Sequence, residues 1–414
     1  MNMDVNAFAA SQGKINAPRL LDSLRRLSSI GQEEDGSITR IAFSPEYNQI
    51  VDSLYDEAQT LGFHAKKDVF SNLIITVPGQ DATAKTIYVG SHLDTVKQGG
   101  RYDGLLGVLA GFECLKSWRE QGIRPHHTVC LIGFNAEEGG ELGGTFGSRA
   151  ILGQVPLSDA LVQSKLQKYH LSPEDFLQAR IDTSKAQCYL ELHVEQGGCL
   201  ERARIPIGVV TGIVAIYRLN ITCRGESNHA GTTPMDCRKD ALVGMAHLIL
   251  LAEKLAKESQ GALVATTGFM EFHPNMANVI PGEVASSIDI RGMDPSAIQD
   301  FCEELRRHAA KIPEVSFDFK VAVAKEGSVS DSAIQDAIKA ACRNREIPFL
   351  ELPSGAGHDA TAFAKCMPTG MIFVPSIGGK SHCKEEATKE QDIVTGAQIL
   401  SDTIWRLDHM AQMP

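Results

Sequence analysis

Apolar residues recur along the chain with two different spacings, and these spacings predict its elements. Helical spacing covers two segments within residues 16–62, after which short β-rich apolar runs alternate with helical stretches. The predicted strands of this region are 73–77, 86–90, 128–134 and 188–194, with a helix at 104–121. This alternation predicts an α/β fold in which helices cover a mixed sheet.

The pattern changes from about residue 212 onward. The predicted elements there are a strand at 213–223, a helix at 240–259, strands near 262–272 and 284–291, a helix at 295–310 and a strand at 315–323. The order β-α-β-β-α-β is that of a ferredoxin-like sandwich. The α/β pattern then resumes with a helix at 331–345, a strand at 371–375 and a helix at 388–407. We therefore predict a catalytic domain, 1–212 and 328–414, interrupted by an inserted α+β domain at 213–327.

Composition and charge exclude several classes of protein. The 414 residues are 43% apolar and 22% charged, and the net charge of −11 disfavours nucleic acid as a partner. The longest strongly apolar stretch, 241–252, is shorter than the roughly 20 residues that a membrane span needs, so we expect no membrane association. Ten cysteines stand singly, and the first residues resemble neither a signal peptide nor a transit peptide, so we expect a cytoplasmic protein.

Side chains that can bind metals lie directly after four predicted strands or in the loops that follow them. They are His92, Asp94, Asp103, Glu137, Glu138, His193 and His382. The carboxyl ends of neighbouring parallel strands meet at one edge of a sheet, so these side chains can converge on one site. Three imidazoles with two or three carboxylates suit a pair of divalent cations that share one carboxylate and activate water. The clusters therefore predict a dinuclear metallohydrolase.

Each of these clusters also has a simpler interpretation. Any of the histidines alone could be a satisfied core or loop residue, and the Glu137–Glu138 pair could be a solvated turn. Asp94 could cap a turn with its carboxylate. The joint order and placement of all the clusters at strand ends favours the metal site over these separate interpretations.

Nine short segments carry a resemblance to a known family. They are GSHLDTV at 90–96, GGRYDG at 99–104, NAEEGG at 135–140, LHVEQG at 192–197, SNHAGTTPM at 227–235, NVIPG at 278–282, DIRG at 289–292, SGAGHDA at 354–360 and GGKSH at 378–382. Together they resemble the M20-type metallopeptidases over nearly the whole chain. They resemble more closely the amidohydrolase branch, which comprises N-carbamoyl-L-amino acid hydrolases, β-ureidopropionases and allantoate amidohydrolases. A histidine at 193, where many peptidase relatives have a carboxylate, favours that branch.

The resemblance implies a role for each metal ligand. Asp103 would bridge two cations and is the ligand that both share. His92 and His193 would bind one cation, and Glu138 and His382 the other. Mixed nitrogen and oxygen ligands accept zinc, manganese, cobalt or nickel, so two divalent ions of unspecified identity are expected in each subunit.

The resemblance also implies roles for residues around the metals. Glu137 would be the general base, and Asp94 would hydrogen-bond to His92 and set its tautomer. The peptide bond after the bridging aspartate is often cis in such relatives, so we expect a cis Asp103–Gly104 bond.

Substrate contacts are implied in both domains. His229 of the inserted domain would donate to the tetrahedral oxyanion, and Arg291 would clamp a substrate carboxylate. The remaining expected contacts are Gln196, Asn278, Gly357 and His358. A surface ion pair at Arg291 and a turn at Asn278 are open alternatives, as is packing or capping at His358.

The implied activity is hydrolysis of the ureido C–N bond of N-carbamoyl-L-amino acids, with release of free amino acid, ammonia and carbon dioxide. Allantoate and N-carbamoyl-β-alanine are open alternatives as substrates, and a dinuclear exopeptidase or N-acyl amino acid deacylase is an alternative of another class. The intact ligand set disfavours a non-catalytic binding protein. The resemblance implies a homodimer joined by the inserted domain, which would also be a lid. The Gly-rich segment 139–147 and Lys384 depart from the pattern of these relatives.

Overall fold

A computed structural model describes residues 13–409 of the protein. The strands are β1 (His64–Lys67), β2 (Leu73–Val77), β3 (Thr86–His92), β4 (Val129–Phe134), β5 (Ala186–Val194), β6 (Ile207–Ile213), β7 (Ala215–Arg224), β8 (Leu263–His273), β9 (Glu283–Gly292), β10 (Ser316–Lys325), β11 (Ser328–Val329), β12 (Phe349–Ser354) and β13 (Thr369–Val374). The helices are α1 (Ala17–Leu27), α2 (Pro45–Thr60), α3 (Leu105–Glu120), α4 (Phe146–Ile151), α5 (Ala160–Lys168), α6 (Pro173–Ala179), α7 (Cys199–Ala203), α8 (Ala241–Glu258), α9 (Pro295–Ala309), α10 (Ser332–Asn344), α11 (Ala360–Phe363) and α12 (Glu390–His409).

The described residues form two compact units, 13–211 with 329–409, and 212–328. The first unit is built on a nine-stranded sheet of order β1-β2-β4-β3-β5-β13-β6-β11, with β12 paired to β6. At its centre β4, β3, β5 and β13 are parallel neighbours, whereas β2 and β6 run antiparallel to β4 and β13. The predicted mixed α/β fold is therefore confirmed for this unit.

Helix α3 connects the core of the first unit to the polar edge of the sheet. Every residue from Leu105 to Trp118 is buried, since the helix packs against β3 and β5 and against α1 and α12. It begins at Leu105, two residues after Asp103, so Asp103 precedes the positive end of the helix dipole, where a negative charge is favoured. Burial of the helix on all sides thus fixes the position of the loop that precedes it.

The second unit is a four-stranded antiparallel sheet of order β10-β7-β9-β8. Helices α8 and α9 pack on it, and the chain order is β-α-β-β-α-β. Its core includes Leu219, Ile221, Met245, Leu248, Ile288, Ile290 and Leu305. Strand β8 has only β9 as a neighbour, so it is an edge strand of this sheet.

Two further features of the described chain bear on function. No helix within 13–409 is long and apolar enough to cross a lipid bilayer. All ten cysteines lie in this range, and each is a free thiol.

Candidate metal centre

The four parallel strands bring the predicted metal ligands to one edge of the sheet. His92 is the last residue of β3, and Glu137 and Glu138 follow the end of β4 by a short turn. His193 lies near the end of β5, and His382 follows β13. Because parallel neighbours place their carboxyl ends together, residues from four distant parts of the chain meet there.

One group of candidate metal ligands consists of His92, Asp103 and His193, all of them buried. Asp103 Oδ1 lies 3.3 Å from His92 Nε2 and 3.0 Å from His193 Nε2. The two Nε2 atoms are 3.5 Å apart. The three side chains therefore present their polar atoms to one point.

Backbone contacts set which nitrogen of each imidazole faces this point. His92 Nδ1 lies 2.9 Å from the carbonyl oxygen of Asp94, and His193 Nδ1 lies 2.8 Å from that of Val194. A carbonyl only accepts, so each Nδ1 carries a proton and donates it, which leaves Nε2 as the lone-pair nitrogen. Gly104 N–H donates to His193 Nε2 at 3.2 Å, in agreement with that assignment. A shared proton or a cation is needed among acceptors so close together.

A second group consists of Asp103, Glu138 and His382. Asp103 Oδ2 lies 3.1 Å from His382 Nε2, which in turn lies 3.4 Å from Glu138 Oε2. Glu138 Oε1 is buried without a hydrogen-bond partner among the described residues. An unpaired buried carboxylate oxygen is costly in a protein, and a bound cation would satisfy it. The donor set of both groups therefore fits divalent metal, with Asp103 common to the two.

Gln196 lies within this second group. Its Nε2 donates to Asp103 Oδ2 at 2.8 Å and lies 3.3 Å from His382 Nε2. Its Oε1 is buried and has no hydrogen-bond partner within the described chain. Gln196 is predicted as a substrate contact, and the structure places it directly beside these candidate metal ligands.

The bond after Asp103 differs from the prediction. Within residues 13–409 the cis peptide bond is His273–Pro274, so the predicted cis Asp103–Gly104 bond is wrong. Gly104 instead turns the chain by adopting φ 66° and ψ −53°, and Leu105 N–H donates to the Asp103 carbonyl at 2.7 Å. These values are those of a γ-turn. The turn after Asp103 is thus made by a positive φ that glycine tolerates.

Asp94 supports the site in a way that the sequence did not predict. His92 Nδ1 donates to the Asp94 backbone carbonyl rather than to its carboxylate, whose Oδ1 lies 3.8 Å from His92 Nδ1. The carboxylate instead accepts the backbone N–H groups of Glu137 and Glu138, each at 3.1 Å. Asp94 therefore holds both the imidazole and the turn that carries the two glutamates.

Burial and neighbouring carboxylates raise the pKa values of the two glutamates in this turn. Burial raises the pKa of Glu137 well above its ordinary value, the charge of His92 opposes that rise, and Asp359 adds to it. Burial and the charge of Asp103 raise the pKa of Glu138 to about 7. Divalent cations offset such repulsion and favour the ionised carboxylates.

Glu191 supports the site, although the sequence pattern did not identify it as a site residue. Buried Glu191 accepts hydrogen bonds from Ser91 Oγ at 3.0 Å and Tyr189 Oη at 3.2 Å, and from a backbone N–H of α11. Glu191 and His193 stand two apart on β5, and this spacing is the signal that could have placed both on one face. Because its oxygens already accept three donors, Glu191 suits support of the site rather than ligation.

His358 and Gly357 were predicted as substrate contacts. The His358 ring is buried edge-on against His193, with 4.5 Å between ring centroids, and its Nε2 lies 2.8 Å from Ser354 Oγ. Burial and the charge of His193 hold the pKa of His358 well below its ordinary value. Gly357 lies exposed in the preceding loop. The structure thus packs His358 against the candidate ligand His193 and leaves Gly357 exposed.

The inserted unit holds three further predicted residues. His229 is exposed, and its Nδ1 accepts the backbone N–H groups of Gly231 and Thr232 at 3.0 and 3.1 Å. The proton of the neutral ring is therefore on Nε2, which points a donor outward. The Asn278 carbonyl accepts Ala230 N–H at 3.0 Å, so Asn278 lies beside the His229 loop.

Arg291 lies at the other end of the same sheet. Its Nε donates to Asp289 at 2.7 Å, and its strand partner on β7 is Ile216. The loops of His229 and Asn278 adjoin the opposite end of β9, at Glu283. Glu283 and Arg291 are eight residue steps apart along β9, which is about 27 Å at the usual rise per residue.

The fold and the ligand groups define the class of protein to which the chain belongs. Residues 88–406 match Peptidase family M20/M25/M40, and the chain is a member of that family. The predicted resemblance is therefore confirmed, and with it an enzyme of the metal-dependent hydrolase type.

Individual relatives narrow this class to amidohydrolases. An N-carbamoyl-L-amino acid amidohydrolase from Geobacillus stearothermophilus is 33% identical over 406 residues, which cover 95% of this chain and 99% of the relative. An allantoate amidohydrolase from Escherichia coli (strain K12) is 32% identical over 400 residues, covering 93% and 97%. The crystal structure of a hydantoinase/carbamoylase family amidase from Burkholderia multivorans superposes with a TM-score of 0.87 at 30% identity, covering 95% and 98%. The chain is thus an amidohydrolase of the carbamoylase and allantoate group, which acts on non-peptide C–N bonds.

Proposed function

We propose that this enzyme hydrolyses the ureido C–N bond of N-carbamoyl-L-amino acids, with two divalent cations bound by the five ligands described above. The observation that carries the proposal is Asp103, whose two oxygens face two separate groups of ligands. The relatives named N-carbamoyl-L-amino acid amidohydrolase and allantoate amidohydrolase are 33% and 32% identical to the chain. Allantoate is therefore the second candidate substrate. N-carbamoyl-β-alanine is a third candidate within the same chemistry.

The residues of the chain have distinct tasks in this reaction. When bound, the cations polarise the ureido carbonyl and lower the pKa of water. Glu137 accepts a proton from the attacking water while the water oxygen bonds to the carbonyl carbon. Glu137 then returns that proton to the departing nitrogen. Ammonia leaves, and the carbamate that remains loses carbon dioxide to give the amino acid. The Asp94 carboxylate keeps Glu137 in place by accepting a hydrogen bond from the Glu137 backbone N–H.

Residues of the inserted unit supply the remaining contacts in this proposal. The outward Nε2–H of His229 suits donation to the oxyanion, since the contacts to its Nδ1 hold the ring in that tautomer. Arg291 suits a bidentate contact with the substrate carboxylate. A substrate of N-carbamoyl amino acid size cannot span the about 27 Å of strand between the two ends of β9. His229 and Arg291 of one chain would then serve two different active sites.

We propose that the enzyme is a homodimer in which each inserted unit completes both sites. Strand β8 supports this, because it is an edge strand and exposes Val264, Phe269 and Met270. Unpaired edges with apolar side chains favour strand pairing with another chain. The free cysteines agree with a reducing compartment, and we propose the cytoplasm.

The activity is tested by ammonia release from protein reconstituted separately with zinc, manganese, cobalt or nickel. N-carbamoyl-L-amino acids, N-carbamoyl-β-alanine and allantoate are offered in parallel, with a dipeptide and an N-acetyl amino acid followed as free amino acid. We expect an N-carbamoyl-L-amino acid to release ammonia, and we expect a chelator to abolish this release. Cleavage of the dipeptide or the N-acetyl substrate alone would replace the proposal with an exopeptidase or deacylase.

The dimer is tested by mixing two inactive variants, His229→Ala and Glu137→Gln, under conditions that exchange subunits. If His229 acts across the dimer, each mixed dimer holds one intact site, and random exchange restores roughly a quarter of all sites. If His229 acts within its own subunit, mixing restores no activity. A monomer by sedimentation at assay concentration would contradict the proposal directly.

A further inference from the structure

Glu386 is a buried carboxylate near the metal centre that no ligand role accounts for. It follows His382 by four residues and is 3% exposed. Its Oε1 accepts the backbone N–H groups of Tyr102 at 2.7 Å and Asp103 at 3.1 Å, and its Oε2 accepts Ser381 Oγ–H at 2.6 Å. All of its contacts thus lead to the two loops that carry Asp103 and His382.

The shape of the first loop is adapted to this carboxylate. A Cβ atom at Gly100 would lie 2.3 Å from both the carboxyl carbon and Oε1 of Glu386. Real Cβ atoms do not approach so closely, so a side chain at position 100 would displace Glu386 or the loop. The absence of a side chain there is what admits the carboxylate between the loops.

The contacts of Ser381 show what an accepting oxygen of Glu386 does here. Its hydroxyl has one proton and two oxygens within reach, Glu386 Oε2 at 2.6 Å and Asp103 Oδ2 at 3.1 Å. The contact to Glu386 is the shorter by 0.5 Å, so the single hydroxyl proton lies on the side of Glu386 rather than Asp103. Asp103 Oδ2 therefore keeps a lone pair free on the side of His382, although Gln196 also donates to it.

We propose that Glu386 is a positioning residue for the shared ligand: it joins the Asp103 loop to the His382 loop and keeps the Ser381 proton off Asp103. This inference rests on the proposed dinuclear site. It assigns to Glu386 an effect on metal affinity that is separate from binding of the organic substrate.

The test is Glu386→Gln, which keeps the size of the side chain but places an amide against Ser381. The amide donates to the serine hydroxyl, whose proton then turns to Asp103 Oδ2. Affinity for Mn²⁺ and Zn²⁺, measured by competition with a fluorescent chelator, is expected to fall roughly 10- to 100-fold, as for other partners that orient ligands. Activity at limiting metal should fall and recover in excess metal, with KM unchanged. Glu385→Gln, an exposed neighbour, is the matched control and should leave both quantities unchanged.

Ser381→Ala covers the case in which Glu386→Gln does not fold, as judged by circular dichroism. It removes the hydroxyl but leaves Glu386 bonded to the backbone of Tyr102 and Asp103. A smaller loss of metal affinity is expected. Affinities equal to those of the parent in every folded variant would overturn the inference. If the parent protein binds neither cation, the proposed dinuclear site itself fails, whereas a metal-loaded parent that cleaves another amide leaves the role of Glu386 intact.

Discussion

His92 Nε2 and His193 Nε2 lie 3.5 Å apart because two backbone carbonyls, bound to the Nδ1 atoms, turn both lone pairs toward Asp103. Main-chain geometry therefore orients both imidazoles as the proposed cation site requires. Because the rings are already oriented, they lose less conformational freedom when metal binds.

Metal removal tests the proposed cation site through stability. Because a cation binds the folded state, free metal at 100 times its dissociation constant should stabilise the protein by about 2.7 kcal/mol. Thermal unfolding with metal and with a chelator measures the difference. His193→Ala should lose metal and the metal-dependent rise in Tm, whereas His64→Ala, at an exposed position on β1, should retain both. An unchanged metal content in His193→Ala would remove His193 from the ligand set.

Glu137→Gln separates proton transfer from metal binding. The amide cannot accept the proton of the attacking water, so kcat should fall about 10²- to 10⁴-fold while metal content is retained. Glu141→Gln, on the exposed part of the same loop, is the control and should keep full activity. Metal analysis alongside steady-state kinetics makes the comparison. Full activity in Glu137→Gln would show that another group is the base.

Asp94→Asn tests the support of the two glutamates. The amide can accept only one of the backbone N–H groups of Glu137 and Glu138, and its own NH₂ faces the other. We expect a loss of about 1–3 kcal/mol in the free energy of unfolding together with a lower kcat. Asp331→Asn is the control, because Asp331 accepts two backbone N–H groups at the start of α10 on a single oxygen, Oδ1, which asparagine retains. It should leave both stability and kcat nearly unchanged, and an equal kcat in both variants would contradict the supporting role of Asp94.

Gly104→Ala tests the turn after Asp103, the proposed shared ligand. The new Cβ would lie 2.4 Å from His92 Nδ1, in addition to the strain of alanine at φ 66°. Gly122→Ala provides the control, since Gly122 has φ 68° and open space around a Cβ. Strain alone should cost the control about 1–2 kcal/mol without affecting metal binding. In Gly104→Ala the metal affinity should also fall. Chemical denaturation measures the free energy of unfolding of both variants, and metal titration measures their metal affinity. If the two variants lose equal amounts of each, the contact with His92 is unimportant.

Much of the fold was predictable because its signals are local. The central strands and α3 are long apolar runs, and the predicted strand 188–194 lies within β5 (Ala186–Val194). Strand β1 was missed because its sequence, HAKK, is polar and short, and its pairing with β2 supplies what its own residues do not. Helices α5 and α6 were missed as well; they are short and mostly exposed.

The sequence by itself determined which residue types stand at the ends of the parallel strands, since a polar cluster after an apolar run is visible without coordinates. Only the tertiary structure decided how they act: which nitrogen each imidazole offers, that a γ-turn replaces the predicted cis bond, and that Asp94 binds the turn of Glu137. It also revealed Glu386, whose partners Tyr102 and Asp103 precede it by 284 and 283 residues. The physical reason is that hydrogen-bond direction and steric exclusion depend on atoms brought together from distant segments, whereas periodicity and residue type are properties of neighbours along the chain.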